Sequence, residues 1–212
     1  GCAAWLLSCL FQNPGTLGWW VAPTYEQLDQ GYEALKDLAR SAGVLKRAVD
    51  GKRKLWLRGI LPGLKGSRIQ CRSWKKEEHL RGPSVHFMVV DEAGLLTSSA
   101  RSILATRTAS TLGFIRYIGN PGPVLGEFWN LCQQAEDPEN AARMGMLRWT
   151  WEDRHRMLLA TNPVVAEAYR QKIEHDRRTM SPFEFERQYE GKFANPPGAI
   201  FAPWVEGVST LE

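Results

Sequence analysis

The 212 residues are poor in the features that mark a membrane protein, a metal site or a disulfide frame. No apolar run approaches the roughly 20 residues a membrane-crossing helix needs, and the opening residues carry no secretory-leader pattern. The four cysteines (Cys2, Cys9, Cys71, Cys132) lack CxxC spacing, so reduced thiols in a cytoplasmic protein are expected, not a zinc site or disulfides. The four histidines (His79, His86, His155, His175) show no metal-ligand spacing either. His86 sits inside an apolar run and is expected to be a satisfied core histidine. No internal repeat or low-complexity tract occurs. There is no initiator Met: Cys2–Phe11 is helix-like from the outset, and the far end follows the apolar segment Ala199-Ile200-Phe201. Both ends read as cut from something longer.

What is present suits one folded domain with a core of its own and room for a small appendage, since 43% of the residues are hydrophobic and 24% charged. The net charge of +4 conceals an asymmetry. From Val44 to Lys76 there are eleven Lys or Arg against Asp50 alone, while the remainder carries 16 basic and 22 acidic residues. This one segment reverses the sign of the molecule, which makes it a candidate polyanion-facing patch. Its candidate contacts are Lys52, Arg53, Lys54, Arg58, Arg68 and Arg72, with Trp56 and Trp74 among them available for stacking. The plainer alternative is a solvated hairpin whose charges keep an exposed edge from pairing.

The stretch Val85-His86-Phe87-Met88-Val89-Val90-Asp91-Glu92 is a short, near-continuous apolar run followed at once by two carboxylates. Such a run suits a strand buried on both faces, as in a parallel sheet covered by helices. A buried strand cannot hold charge inside, so Asp91 and Glu92 must emerge at its C-terminal edge, where open α/β sheets bind ligands. Two neighbouring carboxylates there suit nucleotide hydrolysis. Asp91 would hold Mg²⁺, a hard cation that prefers oxygen ligands. Glu92 would orient and polarise the water that attacks the γ-phosphate. Taken alone, this Walker B-like pattern is equally a strand that happens to end in a solvated acidic pair.

Elsewhere the chain alternates strand and helix signals. An apolar helix over 2–11 closes at Asn13-Pro14-Gly15. Gly18–Pro23 reads as a buried strand, and Thr24 as the cap of a helix to about Ser41 with Leu28, Tyr32, Leu35 and Leu38 on its apolar side. Lys54–Arg58 and Arg68–Arg72 read as strands joined by a loop holding Pro62, Gly63 and Gly66. Ala100–Ala109 is helix or loop, and Phe114–Ile118 a third buried strand ending near Asn120. Helix is expected over Glu127–Gln134, an acidic loop over Ala135–Asn140, and a fourth apolar strand over Gly145–Thr150. Two more helices start at Asn162-Pro163 and at Ser181-Pro182.

Several pieces fall in a telling order: Val21-Ala22-Pro23-Thr24-Tyr25-Glu26-Gln27, Leu80-Arg81-Gly82, Val89-Val90-Asp91-Glu92-Ala93, Gly119-Asn120-Pro121, and Phe185-Glu186-Arg187-Gln188-Tyr189-Glu190-Gly191-Lys192-Phe193. Together they resemble the ATPase domain of the large terminase subunit, the DNA-packaging motor of tailed bacteriophages and prophages, from about Gly1 to Phe201. The resemblance implies an α/β fold of the ASCE-type P-loop NTPase class, three layers about a mainly parallel central sheet, over residues 1–197. Residues 198–212 would start a linker and nuclease domain. ATP and Mg²⁺ are the implied cofactors, with Asp91 as metal ligand and Glu92 as catalytic carboxylate. Arg81 matches an arginine proposed, in some members, to act on a neighbouring subunit's ATP. Asn120 takes the polar place in a coupling motif usually written with Ser or Thr before its Pro. The implied partners are double-stranded DNA, a portal protein, a small terminase subunit and further copies in a ring. The implied setting is the host cytoplasm, transiently at the procapsid portal.

One departure is large. The family's glycine-rich phosphate loop should lie just before the first helix, yet no GxxxxGK[ST] occurs in residues 1–212. Without its amides and Lys most β- and γ-phosphate contacts are missing, so the chain as written is expected to bind ATP weakly and not to turn it over. Two other readings stay open: a helicase-like ATPase, which also has Ala-Pro-Thr after a strand and a DE pair, and a non-catalytic DNA-binding or ring-assembly module.

Overall fold

A computed structural model describes residues 1–59, 61, 63–122 and 124–194; the expected start of a further domain at 198–212, and Pro62 of the expected loop, lie outside them. The chain divides into two compact units, Gly1–Gly119 and Asn120–Glu212. The first contains α1 (Cys2–Gln12), β1 (Leu17–Ala22), α2 (Tyr25–Ser41), β2 (Leu45–Val49), β3 (Lys54–Leu57), β4 (Arg68–Ser73), β5 (Phe87–Val90), α3 (Ser98–Ala109) and β6 (Phe114–Tyr117).

These strands form one sheet in the order β2-β3-β4-β1-β5-β6. β4, β1, β5 and β6 run parallel, and β3 and β2 are antiparallel additions. Alternation of side chains across a strand splits the core in two. Trp20, Ala22, Leu55, Leu57, Ile69, Cys71 and Val89 pack with Leu6, Leu10, Leu28, Tyr32 and Leu35 of α1 and α2. Their neighbours along the strands, Trp19, Val21, Met88 and Val90, are fully buried on the opposite face, the side taken by the α3 crossover. Three layers result, and β5, flanked by β1 and β6, is buried throughout its second half as its composition predicts. His86 is satisfied, since its Nδ1 accepts from the Leu17 N–H at 3.3 Å, but it is half-buried just ahead of β5 and not a core residue. All four cysteines are free thiols. No helix among the described residues is long and apolar enough to cross a membrane.

α2 shows how local sequence sets an element. Thr24 Oγ accepts from the Gln27 N–H at 3.4 Å while Gln27 Oε1 accepts from the Thr24 N–H at 3.3 Å, a reciprocal capping box. The buried stripe is Leu28, Tyr32, Leu35 and Ala39. Leu38, expected on that stripe, is 38% exposed, because 3.6 residues per turn bring position 39 under the helix.

Four further expectations need correction. Leu45–Val49 is a strand that the pattern did not mark, since Lys46 and Arg47 interrupt its apolar residues around a bulge. Among the described residues β6 is the sheet edge, not a buried strand: with a neighbour there on one side only, its Phe114 is 67% exposed. Trp74 is buried at 6% exposure and offers no ring for stacking. Gly145–Thr150 forms no strand, and Leu147 (85% exposed) and Trp149 (55%) point outward, since an apolar run without a sheet partner has nothing to complete its backbone hydrogen bonds.

The second unit is helical in its described part: α4 (Glu127–Glu136), α5 (Trp151–Thr161), α6 (Pro163–Thr179) and α7 (Pro182–Tyr189). α4 takes up part of the expected acidic loop. Asn162 is the whole connection between α5 and α6, and its side chain accepts from the Val165 N–H at 3.2 Å. Ser181 caps α7 in the same manner at 3.3 Å. Arg177 lies 4.7 Å over the Phe185 ring and 5.7 Å over Trp151, joining three of the helices.

Replacing Thr24 removes one half of the capping box. Thr24→Ala is expected to lower Tm by about 2–4 °C, the equivalent of roughly 1 kcal/mol, as read by thermal unfolding followed by circular dichroism.

Candidate functional site at the carboxyl edge of the sheet

β5 ends at Val90, and the backbone there is held from both sides. The Asp91 N–H donates to the Val21 carbonyl of β1 at 2.7 Å, and the Val90 carbonyl accepts from the Ile118 N–H at 2.9 Å. The Ala93 N–H then donates to the Ile118 carbonyl at 2.8 Å. Between these anchors Glu92 adopts φ 53°, a left-handed conformation that a glutamate rarely takes. Its N–H is satisfied by the preceding side chain, Asp91 Oδ1, at 3.0 Å. The sharp turn lifts both carboxyls to the rim without breaking the strand.

Close packing holds the turn in place. Gly119, just beyond β6, has φ 154°, and a Cβ there would lie 2.7 Å from the Ala93 nitrogen and 3.1 Å from the Glu92 backbone. Only glycine allows this approach, so the glycine read as part of a motif has a steric task.

Both carboxyls are half-buried. Burial pushes the Asp91 carboxyl above its ordinary range, against the pull of the Glu92 N–H. Burial also raises Glu92, and the neighbouring Asp91 charge adds to it. A desolvated, mutually repelling acidic pair favours a bound cation. Among the described residues no group of three or more His, Cys, Asp or Glu could enclose an ion. The pair by itself supplies two carboxylates, the number that a Mg²⁺ keeping most of its waters takes beside phosphate oxygens.

An open cleft of about 480 Å³ is lined by Pro23, Thr24, Gln27, Trp74, Lys75 and Leu95. Pro23, Trp74 and Leu95 follow β1, β4 and β5, three parallel strands, so the cleft lies at their shared carboxyl edge. The linear pattern marked Pro23, Thr24, Gln27 and Trp74 for other reasons and did not bring them together, because the walls come from separate segments.

The backbone of the segment Leu80-Arg81-Gly82 is held by two arginines. Leu80 is fully buried. Arg72 Nη1 donates to the carbonyls of His79 at 2.5 Å and Arg81 at 2.9 Å, and Nη2 to Gln70 Oε1 at 2.9 Å. Its guanidinium lies 4.2 Å over the Trp19 ring. Arg107 Nη1 donates to the Gly82 carbonyl at 2.6 Å. Arg81 itself is exposed. Asn120 is the exposed first residue of the second unit.

The six candidate polyanion contacts separate into two groups. Lys52, Arg58 and Arg68 are exposed and Lys54 is half-buried. Arg53 forms a two-pronged pair with Asp29, at 2.5 and 3.0 Å, and lies 4.8 Å over the Tyr25 ring. Arg72 is the loop clamp just described.

No protein-family model and no curated protein matches the sequence. Solved structures do match. The large terminase ATPase domain of Thermus phage P74-26 aligns over 91% of this chain and 82% of its own, with a TM-score of 0.69 and 19% identity. The large terminase of a thermophilic bacteriophage, in complex with ADP, aligns over 90% of this chain and 44% of its own, with a TM-score of 0.68 and 16% identity. The HK97 bacteriophage large terminase gives 91%, 43%, 0.65 and 14%. The fold is that of a large-terminase ATPase domain. The chain spans less than half the length of the latter two proteins. In this terminase-type fold the acidic pair stands at the carboxyl end of a central strand, as the apolar run ending in two carboxylates predicts.

Two substitutions test the geometry of the turn. Gly119→Ala is expected to cost about 2–3 kcal/mol, a drop in Tm of roughly 4–12 °C, because backbone must move away from the new Cβ. Glu92→Asn, which tolerates the left-handed region, is expected to leave Tm unchanged or raise it by up to about 2 °C. A Tm loss on Glu92→Asn would mean that Glu92 is kept for the fold.

Proposed function

We propose that this chain is the ATPase core of a viral DNA-packaging motor, the large terminase subunit of a tailed bacteriophage or prophage. The observation that carries the reading is the desolvated Asp91-Glu92 pair at the end of a buried parallel strand, in a fold shared with large terminases. One of those, from a thermophilic bacteriophage, has been solved with ADP and with ATP-γ-S.

In this reading Asp91 would hold Mg²⁺, which would supply charge neutralisation for the phosphates. Glu92 aligns the attacking water and accepts its proton; its raised pKa makes it a better base than an ordinary carboxylate. Arg81, with an anchored backbone and an exposed guanidinium, contacts the γ-phosphate bound by an adjacent subunit. Asn120 hydrogen-bonds the γ-phosphate or the water and reports its loss. The copies form a homo-oligomeric ring at the portal of the procapsid in the host cytoplasm, together with the small terminase subunit, and move double-stranded DNA inward. The full-length protein also cuts DNA.

The 212 residues contain both carboxylates but no GxxxxGK[ST] loop. They are therefore expected to bind ATP with a Kd above about 1 mM and to show no turnover. Joined at Gly1 to the strand and glycine-rich loop of a terminase of this fold, the chain is expected to hydrolyse Mg·ATP. Glu92→Gln should then reduce kcat by at least about 10²-fold with little change in KM. Hydrolysis that survives Glu92→Gln would overturn the assignment. Glu92-dependent turnover by the 212 residues alone would show that the phosphate contacts lie within them.

A further inference from the structure

Within the described residues of the first unit, no α-helix packs on one face of β2, β3 and the start of β4, and the turn Glu77–Leu80 packs only at the far end of β4. On β2, β3 and β4 the residues Leu45, Ala48, Leu55, Leu57, Ile69 and Cys71 face the α1–α2 core. The alternate residues face outward. Register places Arg47 opposite Trp56 and Trp56 opposite Arg68, so the three form one row across the strands. The next row holds Val49, Lys54 and Gln70. Arg47 and Arg68 are exposed, and Lys54, Trp56 and Gln70 are half-buried.

These two rows carry three cations and no carboxylate. The acidic groups near the segment are engaged elsewhere: Asp50 accepts from Tyr32 Oη at 2.6 Å and from Lys36 Nζ at 3.2 Å, and Asp29 holds Arg53. Among the described residues Arg47, Lys54 and Arg68 make no ion pair. The Arg47 guanidinium lies 5.4 Å over the Trp56 ring. The indole thus acts as a flat seat for a planar cation and is not a vacant stacking surface. Strands about 4.8 Å apart set Arg47 and Arg68 roughly 10 Å from each other at their backbones, within reach of successive phosphates for side chains of this length.

We propose that the open face of β2–β3–β4, through Arg47, Lys54 and Arg68 with Trp56 as the seat for Arg47, is a binding surface for the phosphate backbone of nucleic acid. Arg53 and Arg72 take no part, since both are engaged within the fold. The choice of duplex DNA as the natural ligand rests on the packaging reading; the surface rests on charge and register alone. With the indole face occupied, recognition is through phosphate, independent of sequence and sensitive to salt.

Fluorescence anisotropy of a labelled 30-base-pair duplex, titrated with the full chain over a series of salt concentrations, tests this. The wild type is expected to bind with a Kd of about 10⁻⁶–10⁻⁴ M at moderate salt, with log Kd linear in log salt. Arg47→Ala/Arg68→Ala should weaken binding at low salt by at least about tenfold and reduce the salt slope by about two. Arg47→Lys/Arg68→Lys should keep the slope. Trp56→Ala should lose about as much as Arg47→Ala, and Trp56→Phe less. Arg47→Glu, at an exposed position, serves as a second variant if circular dichroism shows the double variant misfolded. An unchanged affinity and slope in Arg47→Ala/Arg68→Ala, or the absence of duplex binding at low salt, would overturn the proposal. So would a tenfold preference for single-stranded over duplex DNA, which would make Trp56 a base-stacking residue. Hydrolysis of Mg·ATP by the loop-bearing chain is measured separately, so the two readings can fail independently.

Discussion

A strand hydrogen-bonded on both edges and covered on both faces has no room for charge, and β5 is such a strand. Its Val89 and Val90 are fully buried, β1 and β6 pair with it in parallel, and the first charged residues follow where the sheet ends. The candidate chemistry depends on this constraint. Burial that would destabilise a carboxylate inside the sheet only partly desolvates Asp91 and Glu92 at the rim, which raises their pKa. The left-handed turn at Glu92 and the close approach of Gly119 are the local means by which the chain leaves the strand within two residues.

The arginines show how one residue type can serve different ends in one structure. Arg72 lies on an indole and holds two carbonyls, so it shapes the Arg81 loop from beneath. Arg53 is tied to Asp29 and Tyr25 and fixes the β2–β3 turn against α2. Arg47 and Arg68, in the same charged stretch, have no acidic partner among the described residues and stand on an open face. A count of positive charges along the chain treats these as one patch. Alternation along the strands and partner geometry separate them into structure and surface.

Much of the fold was legible from local pattern. The apolar run of β5, the strand and capped helix at Gly18–Ser41, and the helix starts at Asn162 and Ser181 are encoded by side chains acting on their own backbone. The order of short motifs was enough to suggest the terminase-type fold even at 14–20% identity to solved examples. What pattern missed were elements whose state depends on neighbours. β2 carries charge because only one of its faces meets the core. β6 looks buried but is an edge. Gly145–Thr150 looks like a strand but has no sheet to join.

By itself, then, the sequence determined where charge had to leave the core, which helices were capped, and which carboxylates would stand together, because these follow from burial and hydrogen bonding between near neighbours in the chain. Tertiary structure decided which cations are paired within the fold, that Gly119 must lack a side chain, and that a cleft opens at the carboxyl edge of β1, β4 and β5. Each of those depends on segments tens of residues apart being brought within a few ångströms, and only the folded sheet does that.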